Sequence, residues 1–214
     1  MNNKFFRALN IFADWFIRIT LINILVIICM LPIITIIPAI SSGYRLFSDI
    51  LRKDEENIFK AYFKYFKEDF VNKLIVSIIV IIVFLVSFYN NRLYGNLLET
   101  GASIFNTIGY YLTMALLFGT VMVTLYLPLI FSERKNIEIL EIFKLAFYFA
   151  GKYPLRTILI TLSLLIPYLM LTNPFTIVFF IFSGISIPLL INAALTLKAR
   201  DFLKTMEVKK KWLK

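Results

Sequence analysis

Between Ile19 and Ile40 the chain runs for 22 residues without a formal charge. A helix rises about 1.5 Å per residue, so such a run covers the roughly 30 Å of hydrocarbon in a bilayer. Four more apolar runs follow, at 74–89, 104–131, 155–171 and 175–197. In 214 residues, 60% hydrophobic with a mean hydropathy of +0.82, there is more apolar surface than a soluble domain of this length can bury. A backbone in hydrocarbon must satisfy its own polar groups, and a chain of long apolar runs does so as helices. The expected fold is all-α: a polytopic membrane protein with five transmembrane helices and two cytoplasmic amphipathic helices.

The expected organisation is an amphipathic N-terminal segment over 1–18, one membrane domain over 19–197 and a basic cytoplasmic tail over 198–214. Phe5, Phe6, Leu9, Phe12 and Phe16 mix with Lys4, Arg7, Asp14 and Arg18 in the first segment, which reads as a helix lying in the interface. Its length and its Asp14 argue against a cleaved signal peptide. Pro32 and Pro38 bracket Thr35, so the first span should break near Leu31. The stretch NNRLYGNLLETGAS reads as a polar link between spans two and three. Ala115 and Gly119 form a small-xxx-small pair for close helix packing. Thr172, Asn173 and Pro174 leave room only for a tight hairpin between spans four and five, each bent by a proline, Pro167 and Pro188.

Charge sets the sidedness. With five crossings, 19 of the 23 lysines and arginines fall on one side and 4 on the other, and the basic side is cytoplasmic. That places the C-terminus inside and the N-terminus outside. A re-entrant first segment would instead bring the N-terminus inside and divide the charges 22 to 1. The net charge of +10 follows from these basic loops and implies no nucleic-acid partner.

Two loop segments have amphipathic character. In Asn57–Lys73, Phe59, Phe63, Phe66 and Phe70 fall within about 60° of helical arc, with Lys60, Lys64 and Lys67 about 100° away. A second apolar face comes from Leu140, Phe143, Phe147 and Ala150, beside Lys144. A shift of 84 residues lays Ile58, Phe59, Lys60 and Phe63 on Ile142, Phe143, Lys144 and Phe147, and a Leu-Pro pair precedes each copy (Leu31-Pro32, Leu127-Pro128). The unit would be a span, a proline break, a cytoplasmic helix and a span, used twice. These residues are the candidate contacts for membrane lipid or a protein partner.

The order Trp15, Asn23, Leu31-Pro32, Thr35 and Pro38-Ala39, followed by an amphipathic segment with Phe66 and Phe70, resembles the YesL-like family of small bacterial membrane proteins. The resemblance implies an accessory role in carbohydrate uptake, since such proteins are encoded beside sugar ATP-binding-cassette transporters. It supplies no catalytic or ligand residues. Glu141, Ala146, Gly151 and Ile160 also resemble the coupling loop of transporter permeases, but the spacing departs and the closing Leu-Pro is missing.

The chain has no histidine and one cysteine, Cys29, and its spans carry no ionisable group in their central parts. Ser77, Thr113, Thr120, Thr124, Thr161, Ser163 and Ser186 have no base to activate them. Asp54, Glu55, Glu56, Glu68 and Asp69 alternate with lysines, as in a solvated helix face with i, i+4 pairs. The expectation is a non-enzymatic protein without cofactor or metal in the bacterial cytoplasmic membrane, contacting lipid and transporter permease subunits. The alternative is a small facilitator for an uncharged solute, with Asn23, Asn192 and the hydroxyls lining its path. Five spans would then have to form a homo-oligomer.

Overall fold

The computed structural model describes residues 2–54, 57–101 and 103–212, with side chains between 5 and 203. Glu55, Glu56 and the side chains of the basic tail lie outside the described residues. Every described element is helical. Five helices are long and apolar enough to cross a membrane: Phe5–Met30, Phe70–Thr100, Ile104–Glu133, Pro154–Thr172 and Ile177–Leu203. Only 17% to 39% of each most apolar window is buried within the chain, so most of that surface is left for hydrocarbon. The all-α polytopic class is as expected.

The first helix, α1 (Asn2–Met30), takes in the segment expected to lie in the interface and continues it unbroken into the span. The span boundary therefore shifts from 19–40 to 5–30. The break falls at Leu31-Pro32, followed by a 3-10 turn, Ile33–Thr35. The Thr35 hydroxyl is 2.6 Å from the carbonyl oxygens of both Cys29 and Pro32, closing the end of α1 where backbone donors run out. Beyond it α2 (Ile36–Leu51) lies largely buried in the bundle. Ile22 and Val26 pack against Gly43, where an added Cβ would stand 2.8 Å from Val26. In one continuous line, Val26 and Gly43 would be about 25 Å apart; α1 therefore doubles back beside α2.

A left-handed residue separates the two helices expected as one. Asn57 accepts from the backbone N–H groups of Phe59 and Lys60 and starts α3 (Ile58–Lys67). Asp69 has φ 50°, a conformation Asp tolerates better than most residues. Phe70 thus opens α4 (Phe70–Thr100) and is not the fourth residue of an α3 stripe. The side of α3 turned to the core carries Ala61, Tyr62 and Tyr65, while Phe59 and Phe63 are exposed. Tyrosine serves there because its hydroxyl end finds a partner: Tyr62 donates to the Ala39 carbonyl at 3.3 Å.

The polar link after span two is also helical. α4 continues through Asn90–Thr100 because it packs along α5 (Ile104–Glu133). Asn91 donates to the Tyr110 carbonyl at 3.2 Å. At Gly109 a side chain would collide with the Tyr94 ring, 2.6 Å away. Ala115 is exposed and nothing approaches Gly119, so no described helix of this chain uses that small-residue pair.

After α6 (Ile139–Lys152), the fourth span divides into α7 (Pro154–Ser163) and α8 (Leu165–Thr172). Pro167 cannot donate to Ser163, four residues back, and the helix breaks at that carbonyl. Pro188 acts likewise on Gly184, where a π segment, Phe180–Gly184, ends between α9 (Ile177–Phe179) and α10 (Ser186–Trp212). Asn23 staples this irregular stretch. Its Nδ2 donates to the carbonyls of Phe180 (2.9 Å) and Ile181 (2.6 Å), and its Oδ1 accepts from the N–H groups of Ile185 and Ser186, both at 2.9 Å. Every hydrogen-bonding position of interest on this side chain goes to backbone, which removes it from the solute path expected for a facilitator.

Candidate functional site

The basic loops meet at one end of the bundle. Tyr44 bonds Thr196 at 2.6 Å and Ser48 accepts from Arg200 at 2.5 Å, so α2 and α10 descend to this end together. α5 arrives there through Glu133. The Arg200 side chain is 6% exposed and pairs with Glu133 (5%) and Asp49 (14%), the latter at 3.0 Å. One guanidinium thus joins three helices in a largely dry setting, where its planar fork suits two carboxylates.

A second network fixes the corner between α3 and α4. Glu68 pairs with both Arg45 and Lys135, and Arg45 lies 4.1 Å over the Tyr65 ring. Asp69 accepts from the Asn136 N–H at 3.0 Å. The buried Lys73 donates to the Tyr65 carbonyl at 2.6 Å. Burial alone would raise the Glu68 carboxyl, but Lys135 and Arg45 outweigh it and hold the group below the usual carboxylate range. Glu68 and Asp69 were expected to be solvated i, i+4 partners. Both instead make ties to distant parts of the chain, because the left-handed turn aims them into the bundle's end.

The second network holds the C-terminal end of α3, which carries one set of the candidate contact residues. On α3, Phe59 is 49% and Phe63 44% exposed, with Lys60, Lys64 and Lys67 also exposed. Phe66 is half-buried, stacked on Tyr62 and 5.4 Å from Phe70 across the corner. On α6, Leu140 is 63% and Phe147 71% exposed, beside exposed Lys144, while Phe143 packs on the core. The outward set is therefore smaller than expected: Phe59, Phe63, Leu140 and Phe147 with the lysines, and without Phe66, Phe70 or Phe143. α3 packs on α1 and α2, and α6 on α5 and α7, so separate parts of the bundle carry the two faces.

Along the 84-residue offset burial agrees at some positions and differs at others: Phe59 is exposed where Phe143 packs on the core, and Ala61 is buried where Leu145 is half-buried. Tyr62 and Tyr65 are buried, as are Ala146 and Phe149; Phe63 and Phe147 are both exposed. The offset also lays Phe47, Ser48 and Asp49 on Phe131, Ser132 and Glu133, with both carboxylates on Arg200. The sequence reading missed this second match, whose signal was Phe-Ser-acid repeated at the same spacing.

The hydroxyls of the spans mostly bond to their own helices. Thr113 donates to Gly109, Thr120 to Leu116, Thr124 to Thr120, Thr161 to Thr157 and Ser163 to Ile160. Ser77 Oγ and Ser186 Oγ have no partner. Among the described residues no three acidic or thiol groups gather as metal ligands.

Residues 17–91 match the model of a family described as a protein of unknown function, DUF624. The matched stretch runs from α1 into α4 and takes in the Leu31-Pro32 break, α2 and α3 with its exposed phenylalanines. No curated protein and no solved structure matches the chain.

Proposed function

We propose that this chain is a non-enzymatic accessory subunit of the bacterial cytoplasmic membrane that docks on the permease subunits of a carbohydrate ATP-binding-cassette transporter. The observation that carries the reading is the set of exposed Phe59, Phe63, Leu140 and Phe147 beside Lys60, Lys64 and Lys144, on helices whose opposite faces are held in the core by Ala61, Tyr62, Ile142, Ala146 and Phe149. Aromatic anchors within a charged rim are the composition of a protein interface. A helix that only rests on lipid needs no fixed orientation to its bundle, whereas a docking face does. The resemblance to the YesL-like family supplies the carbohydrate transporter as partner, and the basic surroundings supply the cytoplasmic side.

The test is co-purification with the permease subunits in mild detergent. Phe63→Asp and Phe147→Asp, combined, should abolish recovery of the complex while insertion and melting temperature stay unchanged. Undiminished recovery of the inserted double variant overturns the reading. A variant that instead loses only its affinity for anionic vesicles identifies the faces as lipid contacts, where each lysine contributes on the order of 1 kcal/mol.

A further inference from the structure

We propose that Lys152 and Arg156, at the corner between α6 and α7, hold the phosphodiester of an anionic phospholipid in the cytoplasmic leaflet. The two cations lie beside one ring: Arg156 is 4.7 Å and Lys152 5.6 Å from the Tyr153 centroid. Lys152 also sits 3.6 Å from the centroid of Phe202 on α10 and 5.2 Å from that of Tyr148. Buried Phe149 stacks on Tyr153 at 6.1 Å and meets Phe202 edge-on at 6.2 Å, so the rings that position the cations are themselves held by the core. The corner is fixed as well, since the Thr157 hydroxyl lies 3.0 Å from the Ala150 carbonyl and 2.8 Å from the Tyr126 hydroxyl. Lys152 is exposed and Arg156 half-buried, which leaves the pair open to the surface.

The pair lacks a negative partner. Arg18, Arg45, Arg52, Lys135 and Arg200 each face a carboxylate, whereas among the described residues no carboxylate pairs with Lys152 or Arg156. Like charges held close together repel, and a shared aromatic ring offsets only part of that. An anion between them satisfies both. Its class follows from the depth of the corner. The span Pro154–Thr172 begins here, and Leu155, Ile158 and Leu159 are exposed just beyond the cations, so a ligand held by its charge has its other end against hydrocarbon. A small inorganic anion would use the charge and none of the apolar surface. Phosphatidylcholine would bring its own cation to a site that already holds two. A phospholipid of net negative charge suits both parts, and the basic end of the bundle places it in the cytoplasmic leaflet. Phe59, Phe63, Leu140 and Phe147 take no part, so this inference is independent of docking.

The probes are phosphatidylglycerol and phosphatidylcholine with the same acyl chains, added in equal amounts to the full chain in mild detergent and read by native mass spectrometry. The parent protein should retain the first over the second by about tenfold, the scale on which two basic side chains attract an anionic lipid. Lys152→Gln with Arg156→Gln should remove the preference. Its melting temperature without lipid should stay close to that of the parent, because no carboxylate loses a partner. Lys152→Arg should keep the preference, and so should Lys64→Gln with Lys144→Gln, which takes the same charge from the α3 and α6 faces. Excess inorganic phosphate should not displace the lipid. Equal retention of the two lipids, the same loss in the Lys64 and Lys144 variant, or displacement by inorganic phosphate overturns the proposal.

Discussion

Replacing Arg200 by alanine should be among the most damaging single changes in this chain. The side chain is 6% exposed and faces carboxylates that are 5% and 14% exposed. Its removal leaves Glu133 and Asp49 close together without their cation and takes a donor from Ser48. Breaking a buried pair from one side costs about 3–5 kcal/mol. At about 2–4 °C per kcal/mol for a chain of this size, the melting temperature in detergent should drop by roughly 6–20 °C. The comparison is Arg52→Ala: Arg52 pairs with Asp201 at 2.5 Å, but the two side chains are 26% and 65% exposed, so the loss should stay near 0–1 kcal/mol. The triple change Arg200→Met, Asp49→Leu, Glu133→Met removes the charges together and should recover much of the loss, since the cost lies in buried carboxylates that have lost the guanidinium between them. Thermal unfolding of the four proteins checks all of this. Equal shifts for Arg200→Ala and Arg52→Ala, or a triple variant no better than Arg200→Ala, would refute the reasoning.

Other expectations follow from particular contacts. Asn23→Leu strips four backbone groups of their partner, two carbonyls in the π segment and two N–H groups just after it, and should cost about 3 kcal/mol, with faster amide exchange near Ile185 as the localised signature. Because the folded-state value of Glu68 is depressed, its stabilisation is present above the ordinary carboxylate value of 4.5 and is lost as pH falls through the lowered folded value. Glu68→Gln should therefore flatten the acid limb of a melting-temperature profile and leave the neutral limb merely lower. Since α1 doubles back beside α2, and α2 leads to the basic end with α10, α1 and α2 form a re-entrant pair and not one crossing; reporters fused to the two termini should therefore give the same sidedness, the arrangement that divides the charges 22 to 1, and not the external N-terminus that five crossings require. An N-terminal reporter on the opposite side would contradict that path.

The apolar runs and the Leu31-Pro32 break were legible because each rests on a strong local cause: the lack of charge, and the missing proline donor. What was not legible depends on distant partners. Asn90–Thr100 reads as a link until Tyr110 and Tyr94 occupy the space beside Gly95 and Gly109. Asp69 looks like another surface acid in a lysine-rich helix, yet its positive φ divides α3 from α4. The phenylalanine stripe overestimated the contact surface because tyrosines with bonded or stacked rings fill the core side of α3. Asn23 and Asn192 were taken together as path-lining groups; the first is consumed by backbone, and the second is buried and donates to the Leu125 carbonyl. The Arg200 clamp was missed although Phe-Ser-acid recurs at the offset already noticed, since nothing local marks an arginine 67 residues beyond Glu133 as the shared partner.

The docking account is tested most directly by a photo-crosslinking amino acid placed at Phe147 in cells that carry the transporter, with Phe175, 87% exposed at the hairpin away from the basic end, as control. The account predicts a crosslink from position 147 to a permease subunit and none from position 175. Crosslinks from position 147 to lipid alone would contradict it.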